Sequence, residues 1–250
     1  MQETATRVAD ARLRRALGYP YAIPAASFTL VGGAAAPFDP ALRAGRVPVI
    51  GYGSNQSPER LRQKYGTDHA PIPVQRARLA DHDVVYSAHL SVYGSLPAAL
   101  RRAPGTAVAV AVTWLDADQL VVMHASEAHN YVYAELTGAH LALDDGTVLD
   151  RACVYLGKRG HFAPDGSAIA LAAIVAEGRR LPALLQDAAL ERVRAHLAPE
   201  GDLAAFVAAT VDDAAERARR IERLAVHAIA AAHPPHVVLH EPTGDERDRG

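Results

Sequence analysis

Apolar positions along the chain follow two rhythms. Between residues 4 and 17, Val8, Leu13 and Leu17 fall on one side and Arg7, Arg14 and Arg15 fall elsewhere. That is the spacing of an amphipathic helix. From Val47 the rhythm shortens. Runs at 47–51, 74–79, 83–88, 106–114, 131–136 and 148–156 are rich in Val, Ile, Leu and Tyr and read as strands. In 106–114 valines alternate with alanines, as a strand covered on both faces requires. Residues 116–124 open on capping residues and carry Leu120 and Met123 at helical spacing, so a short helix is expected there. Asp144-Asp145-Gly146 marks a hairpin between the last two strands.

The remaining stretches are less regular. Residues 19–46, punctuated by Pro and Gly, form an extended lead-in that either wraps the domain or lies loosely ordered. Residues 89–105 read as a long excursion closed by Pro104-Gly105. Residues 167–179 and 187–197 are Ala/Leu-rich and predict helices. Residues 202–232 predict one or two more, with Arg217, Arg219, Arg220 and Arg223 on a solvated face. Strands cluster before residue 157 and helices after it, which makes the class α+β. The expected organisation is an N-terminal helix and arm (1–46), a central domain (47–197), C-terminal helices packed on it (198–235) and a charged, disordered tail (236–250).

Composition narrows the function classes. Half of the 250 residues are apolar and the net charge is −2, so no general attraction to nucleic acid or anionic membrane is expected. The single cysteine, Cys153, excludes an internal disulfide and a cysteine-rich zinc site. No long apolar run follows residues 1–7 and no segment reads as a membrane span, so the expected location is cytoplasmic. The pattern assigns no oligomeric state.

Candidate chemistry starts at Gly51-Tyr52-Gly53-Ser54-Asn55-Gln56, between a strand and a helix that opens on Ser57-Pro58-Glu59. The segment lacks the third glycine of a dinucleotide fingerprint, the Lys-Ser/Thr of a P-loop and the pattern of a nucleophile elbow. It reads either as a turn that needs glycine for geometry or as a cradle of backbone N–H groups for an anion. His124 and His129 are five apart, and His82 and His89 seven apart. Neither pair has the further ligand that a metal site requires.

The order of these parts resembles the γ-glutamylcyclotransferase-like proteins. An apolar strand ends in Tyr52-Gly53-Ser54-Asn55. Ala77-x-Leu79, Pro97-Ala98 and the Pro104-Gly105 turn into a Val-rich strand follow in the family's order. A short helix then delivers Glu127 ahead of Tyr131-Val132-Tyr133, and Ala152-Cys153-Val154-Tyr155-Leu156 comes later. The likeness spans about residues 47–197. Gln56 stands where the family often has leucine, and Ala128 where glycine commonly follows the glutamate.

The resemblance implies a small mixed β-barrel with flanking helices, to which this chain adds a C-terminal helical segment. It implies that Tyr52, Gly53, Ser54 and Asn55 seat a γ-glutamyl group, with Tyr155 at the pocket and Glu127 as general acid/base. The substrate's α-amine would attack its own γ-amide carbonyl, giving 5-oxoproline and a free amine or amino acid. Such chemistry needs no protein nucleophile, metal or cofactor. One carboxylate can move both protons if a poorly solvated pocket raises its pKa. The only partner implied is the small-molecule substrate. The alternative is a module on the same fold that binds a γ-glutamyl compound or another carboxylate without turnover.

Overall fold

The computed structural model describes residues 2–240, with side chains from residue 10 onward. Its centre is a ring of strands. β3 (Val47–Gly51) pairs antiparallel with β5 (Ala98–Leu115) and parallel with β7 (Val148–Gly157). β7 pairs with β6 (Tyr131–Leu143), β6 with β4 (Ile72–Tyr86), and β4 returns to β5, so the sheet closes into a five-stranded mixed barrel. Closure removes the exposed edges that an open sheet would carry. The α+β class and the small mixed barrel expected from the sequence are what the chain adopts.

Strand alternation sorts the side chains into two layers. Ile50, Val108, Val110, Val112, Val154 and Leu156 belong to the interior cluster. Their neighbours Val49, Ala111, Cys153 and Tyr155 face outward into a second cluster. That outer layer is closed by Phe28 and Leu30 of β1 (Phe28–Val31), Leu61 of α2 (Pro58–Tyr65) and Met123 of α3 (Ala117–Glu127). Burial of each such aliphatic side chain contributes about 1.5–3 kcal/mol.

The N- and C-terminal helices share the interior cluster. Ala16 of α1 (Gln2–Leu17), Leu190 of α4 (Gln186–Leu197), Phe206 of α5 (Leu203–Asp212) and Leu224 of α6 (Ala214–Ala225) are all part of it. An Arg12–Asp212 ion pair at 2.7 Å also ties α1 to α5. The lead-in at 19–46 is ordered and contains a hairpin of β1 with β2 (Ala34–Pro37).

Several sequence expectations are corrected. β5 does not start at 106. It runs straight through Pro104-Gly105 and pairs with β4 as far back as Ala98, so the excursion shrinks to the loop before it. The Pro-Gly pair lies opposite a bulge at Asp81, whose carboxylate accepts the Gly105 N–H at 2.8 Å.

Residues 167–179 form no helix. They lay β9 (Ala170–Leu171) against β4 and β10 (Ala176–Glu177) against β5. Arg179 then clamps the buried Asp83 carboxylate at 2.7 and 2.9 Å and also donates to Ile174 O. Pairing with stretches of β4 and β5 overrides the helix propensity of the alanines. Residues 236–240, expected in the tail, form a strand, β13, on β6, while 241–250 lie outside the described residues.

Of the four arginines of α6, Arg217 and Arg220 turn inward. Arg220 donates to Phe206 O and to Thr210 Oγ1, and Arg217 caps Thr210 O at 2.8 Å. The carbonyls at the end of α5 supply acceptors that solvent would otherwise provide.

His161 in β8 (His161–Phe162) is fully buried, and its Nε2 accepts the Ala232 N–H at 3.1 Å. Burial, with Arg101 and His233 nearby, brings its pKa from 6.5 down to about 4. The folded state therefore favours the neutral ring. This stabilisation is complete above pH 6.5 and is lost as pH falls towards 4, because the unfolded chain takes up the proton first. Urea denaturation should show the midpoint falling across that window. His161→Gln should flatten the fall relative to wild type, by an amount on the order of 3 kcal/mol. An unchanged slope would refute the assignment.

Candidate functional site

The glycine turn and the end of α3 meet. After β3 the chain makes one tight turn over Ser54–Gln56, closed by the Ser57 N–H bonding to Ser54 O at 2.9 Å, and α2 starts at Pro58. From this turn the Asn55 Nδ2 donates to Glu127 Oε1 at 3.1 Å. Lys64, in the last turn of α2, forms an ion pair with the same oxygen. The Lys64 side chain is 2% exposed and that of Glu127 is 12%.

Burial lowers the pKa of Lys64, while the Glu127 charge acts in the opposite sense. Glu127 Oε2 has no partner among the described residues. Glu127 lines a cavity of about 700 Å³, together with Ser54, Tyr19 and Tyr131. The carboxylate expected in a merely apolar pocket is thus held by a cation and an amide on one oxygen, with the other left over.

Tyr19 changes the picture of the cradle. Its hydroxyl oxygen accepts the Ala98 N–H at 2.8 Å. That donor comes from the start of β5 and not from the glycine turn, and it holds a tyrosine of the N-terminal arm. Burial raises the Tyr19 pKa, with Glu127 adding to the effect. The hydroxyl therefore keeps its proton and can donate it.

Tyr131 bonds the next peptide along, donating to Ala98 O at 3.3 Å. Gly53 is needed because of this packing. A Cβ there would lie 2.6 Å from Tyr19 Oη and 3.0 Å from Ala98 Cβ.

The sequence-predicted residues separate into three groups. Ser54 and Glu127 line the cavity. Asn55 orients Glu127, and Gly53 admits Tyr19. Tyr52 and Tyr155 support the site from behind. Tyr52 donates to Tyr155 O at 2.6 Å. Tyr155 faces the outer layer, where its hydroxyl bonds His124 Nδ1 at 2.8 Å, and it is not among the side chains lining the cavity.

The two departures from the family pattern are structural. Gln56 is buried and accepts from Arg76 at 2.7 Å. Ala128 has φ −45° and simply continues the helical turn. Ser57 occupies the N-cap position but makes no side-chain capping bond. Among the described residues, no three His, Cys, Asp or Glu side chains gather closely enough to hold a metal ion.

No family model and no curated protein matches the chain. Among solved structures it is similar to a gamma-glutamyl cyclotransferase at 20% identity. That match covers 45% of this chain and 67% of the other, with a TM-score of 0.38. An uncharacterized protein from Homo sapiens gives the same figures. A protein from Arabidopsis thaliana gives 18% identity, 45% and 68% coverage, and a TM-score of 0.35.

Lys64, Tyr19 and Tyr131 were missed by sequence reasoning. The available signal for Lys64 was its place four residues after Arg60, on the face of α2 that follows the turn. Lys64→Met, which strands a buried carboxylate, should cost about 3–5 kcal/mol. Lys64→Met combined with Glu127→Gln should cost less than the two single changes summed. Additive losses in chemical denaturation would show that the pair is not coupled. Gly53→Ala should cost about 1–3 kcal/mol through overpacking. That cost should shrink in a Tyr19→Phe background, which removes the nearest atom; an equal cost in both backgrounds would count against the contact.

Proposed function

We propose that the cavity takes a small γ-glutamyl amide or peptide and cyclises it to 5-oxoproline, releasing an amine or amino acid. The reading rests on the motif order of the sequence and on one observation. Glu127 lines the cavity with Oε1 fixed by Asn55 and Lys64 and with Oε2 free to exchange a proton.

The chemistry follows from that carboxylate. Oε2 takes a proton from the substrate α-ammonium, which becomes the nucleophile. The amine nitrogen bonds to the γ-carbonyl carbon, the proton on Glu127 passes to the departing nitrogen as its C–N bond breaks, and Oε2 then takes the second proton from the new ring nitrogen and passes it to the released amine, which leaves as an ammonium. Protons balance over the cycle, and the nucleophile is part of the substrate. The protein's work is then to fold the substrate and stabilise charge, and intramolecular positioning alone can contribute about 7–11 kcal/mol. The Tyr19 hydroxyl, polarised by the Ala98 N–H, stands as donor to the developing oxyanion or to the substrate carboxylate.

A second reading is favoured by one observation. Glu127 is already ion-paired with the buried Lys64, which suits a module that binds a small molecule without turning it over.

The test measures 5-oxoproline release from a panel of γ-glutamyl amides. Wild type should release it. The Lys64→Met/Glu127→Gln double variant keeps the buried pair neutral, so it should fold and lose about 10²–10⁴-fold in rate. No release across the panel, with melting still raised by glutarate, would replace the enzyme reading with the binding module.

A further inference from the structure

Much of the cavity wall lies outside the Glu127 corner and is cationic. Arg60, Arg159 and Arg217 line it, against Glu222 and a Glu127 already paired with Lys64. Among the described residues none of these arginines forms an ion pair. Arg60 donates to Gln63 Oε1 and to the Tyr93 hydroxyl. Arg217 donates to the carbonyls of Thr210 and Val211. Arg159 has no hydrogen-bond or ion-pair partner among the described residues.

His89 marks where these charges gather. It lines the cavity, is 7% exposed, and its Nδ1 is buried without a partner. After burial itself, the influences on it are all cationic: Arg159, His129 and Arg217. Four basic or potentially basic groups thus share one part of the wall. They come from the loop before β5, the turns after α3 and β7, and α6.

Arg159 and Arg217 are half-buried at one cavity, and two guanidinium groups placed so attract an anion between them, with the neutral His89 ring beside them. We propose that Arg159 and Arg217, with His89 and His129, form a site for an anionic group, carboxylate or phosphate, carried by the leaving amine of the substrate. This rests on the proposed cyclisation and narrows its substrate class to γ-glutamyl conjugates of acidic or phosphorylated amines. The residues that build it belong to the loops and to the C-terminal helix that close this chain's cavity.

The experiment has two arms. In the first, turnover is compared within matched pairs: γ-glutamyl-4-aminobutyrate against γ-glutamyl-4-aminobutyramide, and γ-glutamyl phosphoethanolamide against γ-glutamyl ethanolamide. The anionic member should have kcat/KM about ten-fold or more higher, and Arg159→Gln should collapse that ratio. Whichever pair shows the larger ratio distinguishes carboxylate from phosphate. Arg159 bonds none of the described residues, and its variant is checked by its melting curve; Arg217→Gln, which uncaps α5, serves as a supporting variant checked in the same way.

In the second arm, glutarate and inorganic phosphate are titrated calorimetrically against wild type, Arg159→Gln and the Lys64→Met/Glu127→Gln variant. Binding should weaken in Arg159→Gln and survive in the double variant. Equal kcat/KM within both pairs, with no binding of either anion, overturns the site while leaving cyclisation standing. Anion binding that depends on Arg159, with no turnover of any compound, supports the site and rejects cyclisation.

Discussion

A lysine ammonium almost wholly removed from solvent has to face an anion, since an unpaired buried charge costs several kcal/mol. Lys64 faces Glu127, and their meeting fixes three parts of the fold at once: the last turn of α2, the end of α3, and Asn55 on the turn between β3 and α2. Neither helix would persist alone. They have eight and eleven residues, below the about 12–15 at which isolated helices become even marginal in water. Leu61 and Met123 dock them on the outer face of the barrel, and the ion pair sets how they end. The position of the carboxylate is therefore inherited from the barrel through packed side chains. That is the condition under which a proton-transferring group holds its geometry.

The strands were legible because alternation carries two kinds of information. In β7 the inward set is Ala152, Val154 and Leu156, and the outward set is Cys153 and Tyr155. The same parity shows why Tyr155 supports the site from outside the barrel: it cannot share a face with Val154. What the sequence could not convey was long-range. Residues 167–179 look helical because their alanines favour a helix locally. Their real partners, β4, β5 and Asp83, are distant in sequence. The Pro104-Gly105 pair looked like a chain reversal and instead bends one long strand at the bulge beside Asp81. On the site side, Glu127, Ser54 and Asn55 were readable from motif order. Lys64 was not, since a lysine in the last turn of a short helix ordinarily complements the dipole in solvent. Its carboxylate lies 63 positions away.

Tyr19 illustrates a substitution of donors. Backbone N–H groups at a tight turn bind an anion directly, with fixed direction and no titration. Here the Ala98 N–H bonds a tyrosine oxygen, and the hydroxyl hydrogen becomes the donor next in line. The exchange adds an aromatic ring to the cavity wall and ties it to the N-terminal arm. Gly53 is what permits it, by leaving room for the hydroxyl beside Ala98. The glycine of the turn is thus explained by a close approach rather than by a positive φ, its value being −123°.

The distribution of charge around the cavity determines how a zwitterionic substrate can lie in it. An α-ammonium is attracted to Glu127 and repelled by the arginines elsewhere on the wall; an acidic group experiences the opposite. Orientation is then decided by two fields of opposite sign within one cavity, before any short-range bond forms. With the ammonium at Glu127, the nitrogen that must lose a proton lies beside the oxygen that can take it. The rest of the molecule is directed towards Arg159 and Arg217. A substrate bound the other way would place its ammonium among guanidinium groups. On the proposed cyclisation, repulsion by the arginines therefore opposes the unproductive orientation.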